Sequence, residues 1–377
     1  MASKSYNIKL SALNLTKKTL DLRTRALISM KEDAVLCVGN KKSFSKPNVT
    51  CIVASYNGEP FLMEALESLL NQDFNGRLQI LVSYDRGTTD NTIIVLNQFI
   101  SKNISKLKNK TFKIVFHSNK TYFRDRELST RYADGEYTCF LDYDNKYYPE
   151  RIREQYEFMR KKRAHFSFCS QNVIDEHGNE IRKRYLNVPP DYTDPDRMLL
   201  SNFIDMNEMM FDKHFFESFL RPALDLLNAK IYDNMIEDYF FGCIAAITKN
   251  ITYLPKTLGS YRLSKYSTMP RRGTNQKTLS VRNLSFITGL QTCLFAVAFI
   301  NSRLKFYNKQ IHFNYVSSFS PNSDLTTFHF LGDFGVKSSE KLPIRLIHFG
   351  LSAVYAGIKV SAKYAKSKFI NILFKKS

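Results

Sequence analysis

Two pairs of carboxylates are the residues of this 377-residue sequence that are best suited to chemistry. Asp142 and Asp144 end the apolar segment TCFLDYD, and residues two apart in an extended chain lie on the same side. Both can therefore face one Mg²⁺ or Mn²⁺ ion, which prefers oxygen ligands and leaves coordination places for phosphate oxygens. Glu237 and Asp238 begin a predicted helix, where a carboxylate can accept a proton from a hydroxyl or only complement the helix dipole.

The segments that must position these residues alternate between strands and helices. Apolar runs predict strands over 49–55, 78–84, 112–118 and 138–144, and helical spacing predicts helices over 60–70, 90–99 and 149–162. This alternation favours an α/β fold with a mostly parallel sheet flanked by helices. Ligands of such sheets bind at the carboxyl ends of the strands. The residues found there are Ser55, Tyr56, Asn57, Asp85, Arg86, Gly87, Asp142, Asp144 and Asn145.

Four segments between about residues 48 and 267 resemble the family 2 glycosyltransferases, which have the GT-A fold. They are ASYNGEPFLMEALESLLNQ (54–72), VSYDRGTTDNT (82–92), DGEYTCFLDYDNKYYPERI (134–152) and IEDYFFG (236–242). The segment LGSYRL (258–263) is similar to a Tyr-Arg pair that often follows. Each segment is a moderate signal alone, and their shared order and spacing make the resemblance strong.

The resemblance implies a binding site for a nucleotide-diphosphate sugar, most often a UDP-sugar. The backbone around Ala54 and the side chain of Asp85 would hold the nucleotide base, with Tyr56 and Asn57 beside them. Asp144 would bind the divalent cation, Mg²⁺ or Mn²⁺. Asp142 would lie next to that cation, toward the ribose and the diphosphate, as a second metal-site residue.

The resemblance also implies the roles of the catalytic residues. Asp238 would be the catalytic base and Glu237 a supporting residue, while Arg124 or Arg126 would contact the diphosphate or the base. Sugar transfer would invert the anomeric carbon, and the divalent cation would stabilise the leaving diphosphate. The expected acceptor is a hydroxyl of a cell-surface glycan or glycolipid, such as a capsule or lipopolysaccharide precursor.

The sequence departs from the family pattern at the second and third segments. The usual Asp-Asp pair of the second segment is Tyr84-Asp85, and Arg86 is inserted before Gly87. The third segment ends in Asp144-Asn145 instead of Asp-Asp. The first departure weakens the inference about the base contact, whereas the second leaves the expected metal ligand in place.

The net charge of +20 indicates an anionic partner. Residues 1–47 have a net charge of +7 and residues 337–377 of +8, so most of the excess lies at the two ends. The tail from Pro343 alternates basic and apolar residues, as in segments that lie on anionic membranes; a helix packed on the domain is the alternative. No nucleic-acid-binding module is recognised, so we expect no nucleic-acid partner.

These observations divide the chain into a basic N-terminal arm or small accessory element (1–47), a GT-A catalytic domain (48–268) and a helical C-terminal region with the basic tail (269–377). An apolar stretch at 284–300 is barely long enough to span a membrane, and a buried or interface helix is favoured. Six cysteines without paired spacing, and no secretory signal, indicate a reduced, cytoplasmic protein at the inner face of the membrane.

Other functional classes remain open at this point. A catalytically inactive relative that serves as a scaffold or partner subunit is the main alternative to an enzyme. The C-terminal region could also form a homodimer or cover the acceptor site. Neither the sugar nor the linkage follows from the sequence, because loop shape sets specificity.

Overall fold

The computed structural model describes residues 6–11, 16–39, 46–107, 109–118, 122–184, 186–194, 197–198, 202–226 and 237–264. The predicted apolar helix around 284–300, the basic tail and the boundary at residue 268 lie outside the described residues. Within the described part of the chain, no helix has the length and hydropathy needed to cross a membrane.

One sheet of eleven strands organises the described residues. The strands are β1 (Tyr6–Ser11), β2 (Ala34–Gly39), β3 (Val49–Ser55), β4 (Leu78–Asp85), β5 (Lys110–His117), β6 (Tyr137–Asp142), β7 (Lys146–Tyr147), β8 (Phe166–Ile174), β9 (Glu180–Arg182), β10 (Met209–Asp212) and β11 (Tyr253–Arg262). Their order is β1-β2-β5-β4-β3-β6-β10-β8-β11-β7, and β9 pairs with β8.

The central strands β5, β4, β3 and β6 run parallel, which confirms the predicted α/β fold class. Beyond them, β2 runs antiparallel to β5, and β10 runs antiparallel to both β6 and β8. Strand order reverses at β3, because β4 and β5 follow on one side and β6 on the other. Such a reversal opens a crevice at the carboxyl ends of the strands.

Helices and helical turns connect the strands. They are α1 (Lys17–Ile28), α2 (Leu62–Leu70), α3 (Thr92–Asn103), α4 (Tyr122–Arg131), α5 (Arg151–Lys162), α6 (Lys213–Phe215), α7 (Arg221–Leu226) and α8 (Glu237–Ile247). The 3₁₀ turns are Ile104–Lys106 and Met206–Glu208, and a π-helical turn, Phe216–Leu220, joins α6 to α7.

Two hydrophobic cores lie on the two faces of the sheet. Alternate residues of β3 enter different cores, with Ile52 in one and Cys51 and Val53 in the other. All seven residues of β3 are buried, as expected for a parallel strand covered on both faces. Burial of each large aliphatic side chain contributes about 1.5–3 kcal/mol, so β3 is a firm support for the residues that follow it.

The N-terminal segment forms folded structure, which agrees with a small accessory element and not with a basic arm, the two possibilities that the sequence left open. Residues 6–39 form β1, α1 and β2, and β2 pairs with β5 over Ala34 to Val38. Leu20 and Leu27 of α1 are buried in the core that contains Cys51 and Val53 of β3. The signal for this β1–α1–β2 unit was the apolar run AVLCVG (34–39), which the abundance of lysine and arginine around it obscured.

Candidate functional site

The carboxyl end of β6 places Asp142 in a network of side chains from distant parts of the chain. Arg126 of α4 donates a hydrogen bond to Asp142 Oδ1. Asn207 donates through Nδ2 to Asp142 Oδ2 at 2.8 Å, and its Oδ1 accepts the Asp142 backbone N–H at 2.6 Å. Both carboxylate oxygens of Asp142 are thus engaged by donors, which fixes the direction in which this side chain points.

Arg126 links three elements of the site. One guanidinium nitrogen contacts Asp142 at the end of β6, and another forms an ion pair with Glu237 at the start of α8. The residue is only 5% exposed. Burial opposes the charged form, yet the surrounding carboxylates, Asp142 first among them, raise the pKa of Arg126 overall. The side chain of Arg124 lies outside the described residues, so Arg126 is the arginine that the structure brings to the site.

Asp144 lies beside this network, and no lysine or arginine among the described residues forms an ion pair with its carboxylate. Its backbone carbonyl accepts a hydrogen bond from Arg262 Nε at 2.8 Å. Burial, and then the charge of Asp142, raise the pKa of the Asp144 carboxyl to about 7. An ionised Asp144 is therefore short of positive charge, which is the condition under which an added cation binds.

Arg262 holds the segment around Asp144 in place. It is completely buried and donates to the backbone carbonyls of Asp175 and Glu176 at 3.2 and 2.9 Å, as well as to that of Asp144. Its Nη2 also donates to Glu64 of α2 at 2.7 Å. One side chain thus joins β11, the β8–β9 turn, α2 and the end of β6.

Asp238 lies in the first turn of α8, next to Glu237. Its Oδ1 accepts the backbone N–H of Tyr239 at 2.6 Å. Burial, and then the charge of Asp205, raise the pKa of Asp238 to about 7. A carboxylate with such a pKa can take a proton efficiently near neutral pH. We refer to Asp142, Asp144, Glu237 and Asp238, together with Arg126, as the carboxylate cluster.

The end of β4 forms a second part of the site, the β4 turn (residues 85–88). Asp85 Oδ1 accepts the backbone N–H of Gly87 at 2.8 Å, and the Asp85 carbonyl accepts that of Thr88 at 3.0 Å. Burial raises the pKa of Asp85, although the hydrogen bond from Gly87 and then the nearby His117 act to lower it. The Asp85 carboxylate is thus held directly by its own turn.

The end of β3 forms a third part of the site, at the same edge of the sheet. Ala54 is nearly buried, whereas Tyr56 is 44% exposed. Asn57 has a positive φ of 50°, and its Oδ1 accepts the backbone N–H of Thr89 at 2.8 Å. The structure thus gives Asn57 a turn-stabilising role, whereas Tyr56 remains accessible at the crevice.

The residues present fit a divalent cation only in part. No group of three or more His, Cys, Asp or Glu side chains in the described ranges is arranged to hold a metal ion. Asp142 is already engaged by Arg126 and Asn207, so Asp144 is the better candidate ligand. Mg²⁺ and Mn²⁺ are commonly held by one or two carboxylates plus phosphate oxygens, and that donor set fits this edge.

Sequence reasoning missed Asp205 and Asn207. Asn207 follows Asp142 by 65 residues, and no local pattern links the two. Asp205 accepts hydrogen bonds from the Asn207 backbone and side chain at 2.9 and 2.6 Å. The one signal for these two residues in the sequence is their position in DMN (205–207), directly before the apolar run EMMFD (208–212).

Comparison with known proteins identifies the domain that carries this site. The model of the family described as Glycosyl transferase family 2 matches residues 50–225. A little under half of the chain is therefore similar to a family 2 glycosyltransferase domain. Asp85, Arg126, Asp142 and Asn207 lie within the matched range, whereas α8 and the β1–α1–β2 unit lie outside it.

Relatives of the family 2 domain include bacterial glycosyltransferases. TuaG of Bacillus subtilis (strain 168), named for teichuronic acid biosynthesis, is 27% identical over 168 residues, which cover 45% of this chain and 63% of TuaG. The Escherichia coli glucosyltransferase WfaP, named for UDP-Glc and α-D-GlcNAc-diphosphoundecaprenol, is 23% identical over 258 residues, or 68% of this chain and 94% of WfaP. The chain thus spans less than two thirds of TuaG.

Solved structures similar to the chain include S. aureus TarS 1-349 in complex with UDP-GlcNAc. That structure is 17% identical, has a TM-score of 0.43 and covers 69% of this chain and 73% of its own.

Proposed function

We propose that this protein is an inverting, metal-dependent glycosyltransferase that moves a sugar from a nucleotide-diphosphate sugar to a hydroxyl of a cell-surface glycan precursor. The carboxylate cluster is the observation that carries the proposal. Asp142 and Glu237 contact Arg126, and the other two acids, Asp144 and Asp238, have pKa values raised to about 7. The cluster can therefore accept both a divalent cation and a proton near neutral pH.

The donor would bind across the reversal of strand order, as ligands of open parallel sheets do. We assign the nucleotide base to Ala54 and Asp85, with Tyr56 and Asn57 beside it. These residues end the adjacent strands β3 and β4 or directly follow β3. A UDP-sugar is the proposed donor, because the resemblance of the second segment favours uracil.

Asp144 would hold the divalent cation, Mg²⁺ or Mn²⁺, with Asp142 beside it. When bound, the cation would neutralise negative charge that grows on the leaving diphosphate. Arg126 keeps Asp142 in place through its hydrogen bond and would add positive charge on the same side. This assignment explains why an ionised Asp144 needs no basic side chain of its own.

Asp238 would remove the proton of the acceptor hydroxyl. A hydroxyl is a weak nucleophile near pH 7, and a carboxylate with a pKa of about 7 is suited to general-base catalysis. Glu237 supports this residue through its ion pair with Arg126, which anchors the start of α8. A direct displacement with the base and the leaving group on opposite faces of the sugar inverts the anomeric carbon.

The wider setting of the reaction follows from relatives and charge. The name of WfaP describes a lipid-diphosphate-linked sugar acceptor, and we propose a glycolipid of that kind, such as a capsule or lipopolysaccharide precursor. Residues 48–268 would form the catalytic domain. The basic tail from Pro343 would hold the protein at the inner, cytoplasmic face of the membrane, and the C-terminal region of residues 269–377 could also form a homodimer.

A donor screen tests the proposal directly. Calorimetry with Mn²⁺ would measure binding of UDP-, GDP- and dTDP-sugars to the full chain and to Asp144→Asn, with the exposed Asp73→Asn as a matched control. We expect one sugar nucleotide to bind only with Mn²⁺, and the Asp144 variant alone to lose that binding. Absence of binding to the folded wild-type protein would contradict an active enzyme and favour the scaffold alternative.

A further inference from the structure

Arg86 connects the β4 turn to the β1–α1–β2 unit. Its Nη2 donates to the backbone carbonyls of Leu27 and Glu32 at 3.1 and 2.8 Å. Leu27 lies in the last turn of α1, where carbonyls lack helical partners and the helix dipole is negative. The guanidinium of Arg86 therefore caps the carboxyl end of α1 from the neighbouring turn.

The β4 turn is also fixed from the opposite side. The backbone N–H of Arg86 donates to the carbonyl of His117, the last residue of β5, at 2.8 Å. Because β5 pairs with β2 on its other edge, the side chain and the backbone of Arg86 both lead to the same N-terminal unit. Movement of that unit would therefore be transmitted to the turn that carries Asp85.

The β1–α1–β2 unit has a second attachment to the domain. Asn97 of α3 donates to Asp21 Oδ1 at 2.8 Å and to Thr24 Oγ1 at 2.9 Å. Helix α3 begins shortly after the β4 turn, so α1 packs along the helix that continues from this turn. The unit thus supports the chain on both sides of residues 85–88.

Capping of α1 does not by itself explain why an arginine stands at position 86. Within the described part of the chain, its Nε and Nη1 are buried without a hydrogen-bond partner, and unpaired buried donors lower stability. Arg86 is also the residue by which VSYDRGTTDNT exceeds the family pattern. A position that costs stability and lies next to the proposed base contact points to a role in binding.

We propose that Arg86 is a positioning residue for nucleotide binding, and that the β1–α1–β2 unit is a structural part of the donor site. This inference rests on the proposed function, because it takes Asp85 as the base contact. Arg86 does not touch the nucleotide. It holds the β4 turn in the conformation in which the Asp85 carboxylate and the Gly87 backbone are fixed relative to each other.

The test compares two arginines on either side of β4. Arg86 follows the strand, whereas Arg77 precedes it and donates through Nε to the carbonyl of Lys46 at 2.8 Å. Calorimetry with UDP and Mn²⁺ and thermal unfolding would be measured for the full chain, Arg86→Met, Arg86→Lys and Arg77→Met. We expect about tenfold weaker UDP binding for Arg86→Met, a smaller loss for Arg86→Lys, and unchanged binding for Arg77→Met.

A second measurement uses the wild-type protein and does not depend on variant stability. Hydrogen exchange at residues 27–33 would be followed with and without UDP and Mn²⁺. Since the inference couples the end of α1 to the β4 turn, we expect UDP to slow exchange there. Unchanged exchange, or equal UDP binding by the Arg86 and Arg77 variants, overturns the inference and leaves the proposed function intact. If wild-type protein binds neither UDP, GDP nor dTDP, the proposed function fails and the inference fails with it.

Discussion

The carboxylate cluster and the β4 turn lie at the same edge of the sheet but are built in different ways. Asp142 is held by Arg126 from α4 and by Asn207, which follows it by 65 residues. Asp85 instead accepts its hydrogen bond from Gly87, two residues later. One region thus depends on long-range side-chain contacts and the other on local turn geometry.

The difference has an electrostatic reason. Neighbouring carboxylates repel one another, and a buried carboxylate without a partner loses its hydration. The cluster therefore needs donors from elsewhere in the chain to hold Asp142 while Asp144 stays without a basic partner. Asp85 has no carboxylate beside it in the turn. Its carboxylate is held directly by the turn, and that turn is attached to the N-terminal unit through Arg86. Several carboxylates at one point require side-chain donors from elsewhere in the chain, whereas a single carboxylate can be held directly by its own turn.

The largest expected effect comes from replacing the proposed base in the cluster. Asp238→Asn keeps the shape of the side chain but removes its capacity to take a proton. We expect kcat to fall by about 10²–10⁴-fold, the usual contribution of general-base catalysis, while donor affinity is retained. Steady-state kinetics with calorimetry measure the two quantities. Glu67→Gln, on an exposed part of α2, is the matched control, and an equal loss of affinity and rate in Asp238→Asn would contradict this assignment.

Loss of the long-range contacts that support the carboxylate cluster should lower the stability of the fold first, and the reaction chemistry only after that. Arg262→Met removes the hydrogen bonds that Arg262 donates to three backbone carbonyls and to Glu64. We expect the free energy of unfolding to fall by about 3 kcal/mol. Arg153→Met, which removes a surface ion pair with Asp73, should cost less than about 1 kcal/mol. Urea unfolding of both variants measures these free energies. Equal losses of stability in the two variants would show that the cluster needs no long-range support.

The same contrast explains what could be predicted from the sequence. The central strands, α2 and the β4 turn follow from apolar spacing and from turn residues within a dozen positions, and the structure confirms these elements. Asp142 and Asp144 could be identified because they end a strand. Their supports could not, because Asn207 and Arg262 reach them from 65 and 118 residues away.

The strands of the N-terminal unit are not predicted from the sequence, for a different reason. The high content of lysine and arginine in residues 1–47 is typical of an arm or a small accessory element and does not indicate strands. The six-residue run AVLCVG is nevertheless a buried strand, and its burial is set by pairing with β5. A short apolar run flanked by charges forms a strand only where the edge of another strand can pair with it. The position of that edge depends on the tertiary structure.

The pH dependence of the reaction rate should report the protonation of the carboxylate cluster and not that of the β4 turn. At saturating Mn²⁺ we expect the rate to rise with pH through an apparent pKa of about 7, because Asp238 must be ionised to act as the base. A carboxyl whose pKa is raised on folding stabilises the folded state below its unfolded value, near 3.8. That stability is lost as the pH rises toward 7.

Unfolding measurements test the sign of this effect. Asp238→Asn should be more stable than the wild-type protein at pH 8, by about 1–2 kcal/mol after solvent screening. At pH 4, where the wild-type carboxyl is protonated, we expect no difference. A loss of stability at pH 8 would mean that a partner stabilises the ionised Asp238 carboxylate. The statement that burial raises the pKa of Asp238 would then be wrong.

The smallest expected effect lies at the β4 turn. In Asp85→Asn the amide oxygen can still accept the Gly87 backbone N–H, so the free energy of unfolding should change by no more than about 0.5 kcal/mol. The variant loses only the charge offered to the nucleotide base. We expect about three- to tenfold weaker UDP binding, as for one hydrogen bond to a charged group, and an unchanged kcat at saturating donor. A large fall in kcat would place Asp85 in the chemistry of the carboxylate cluster, and the two regions would then act as one.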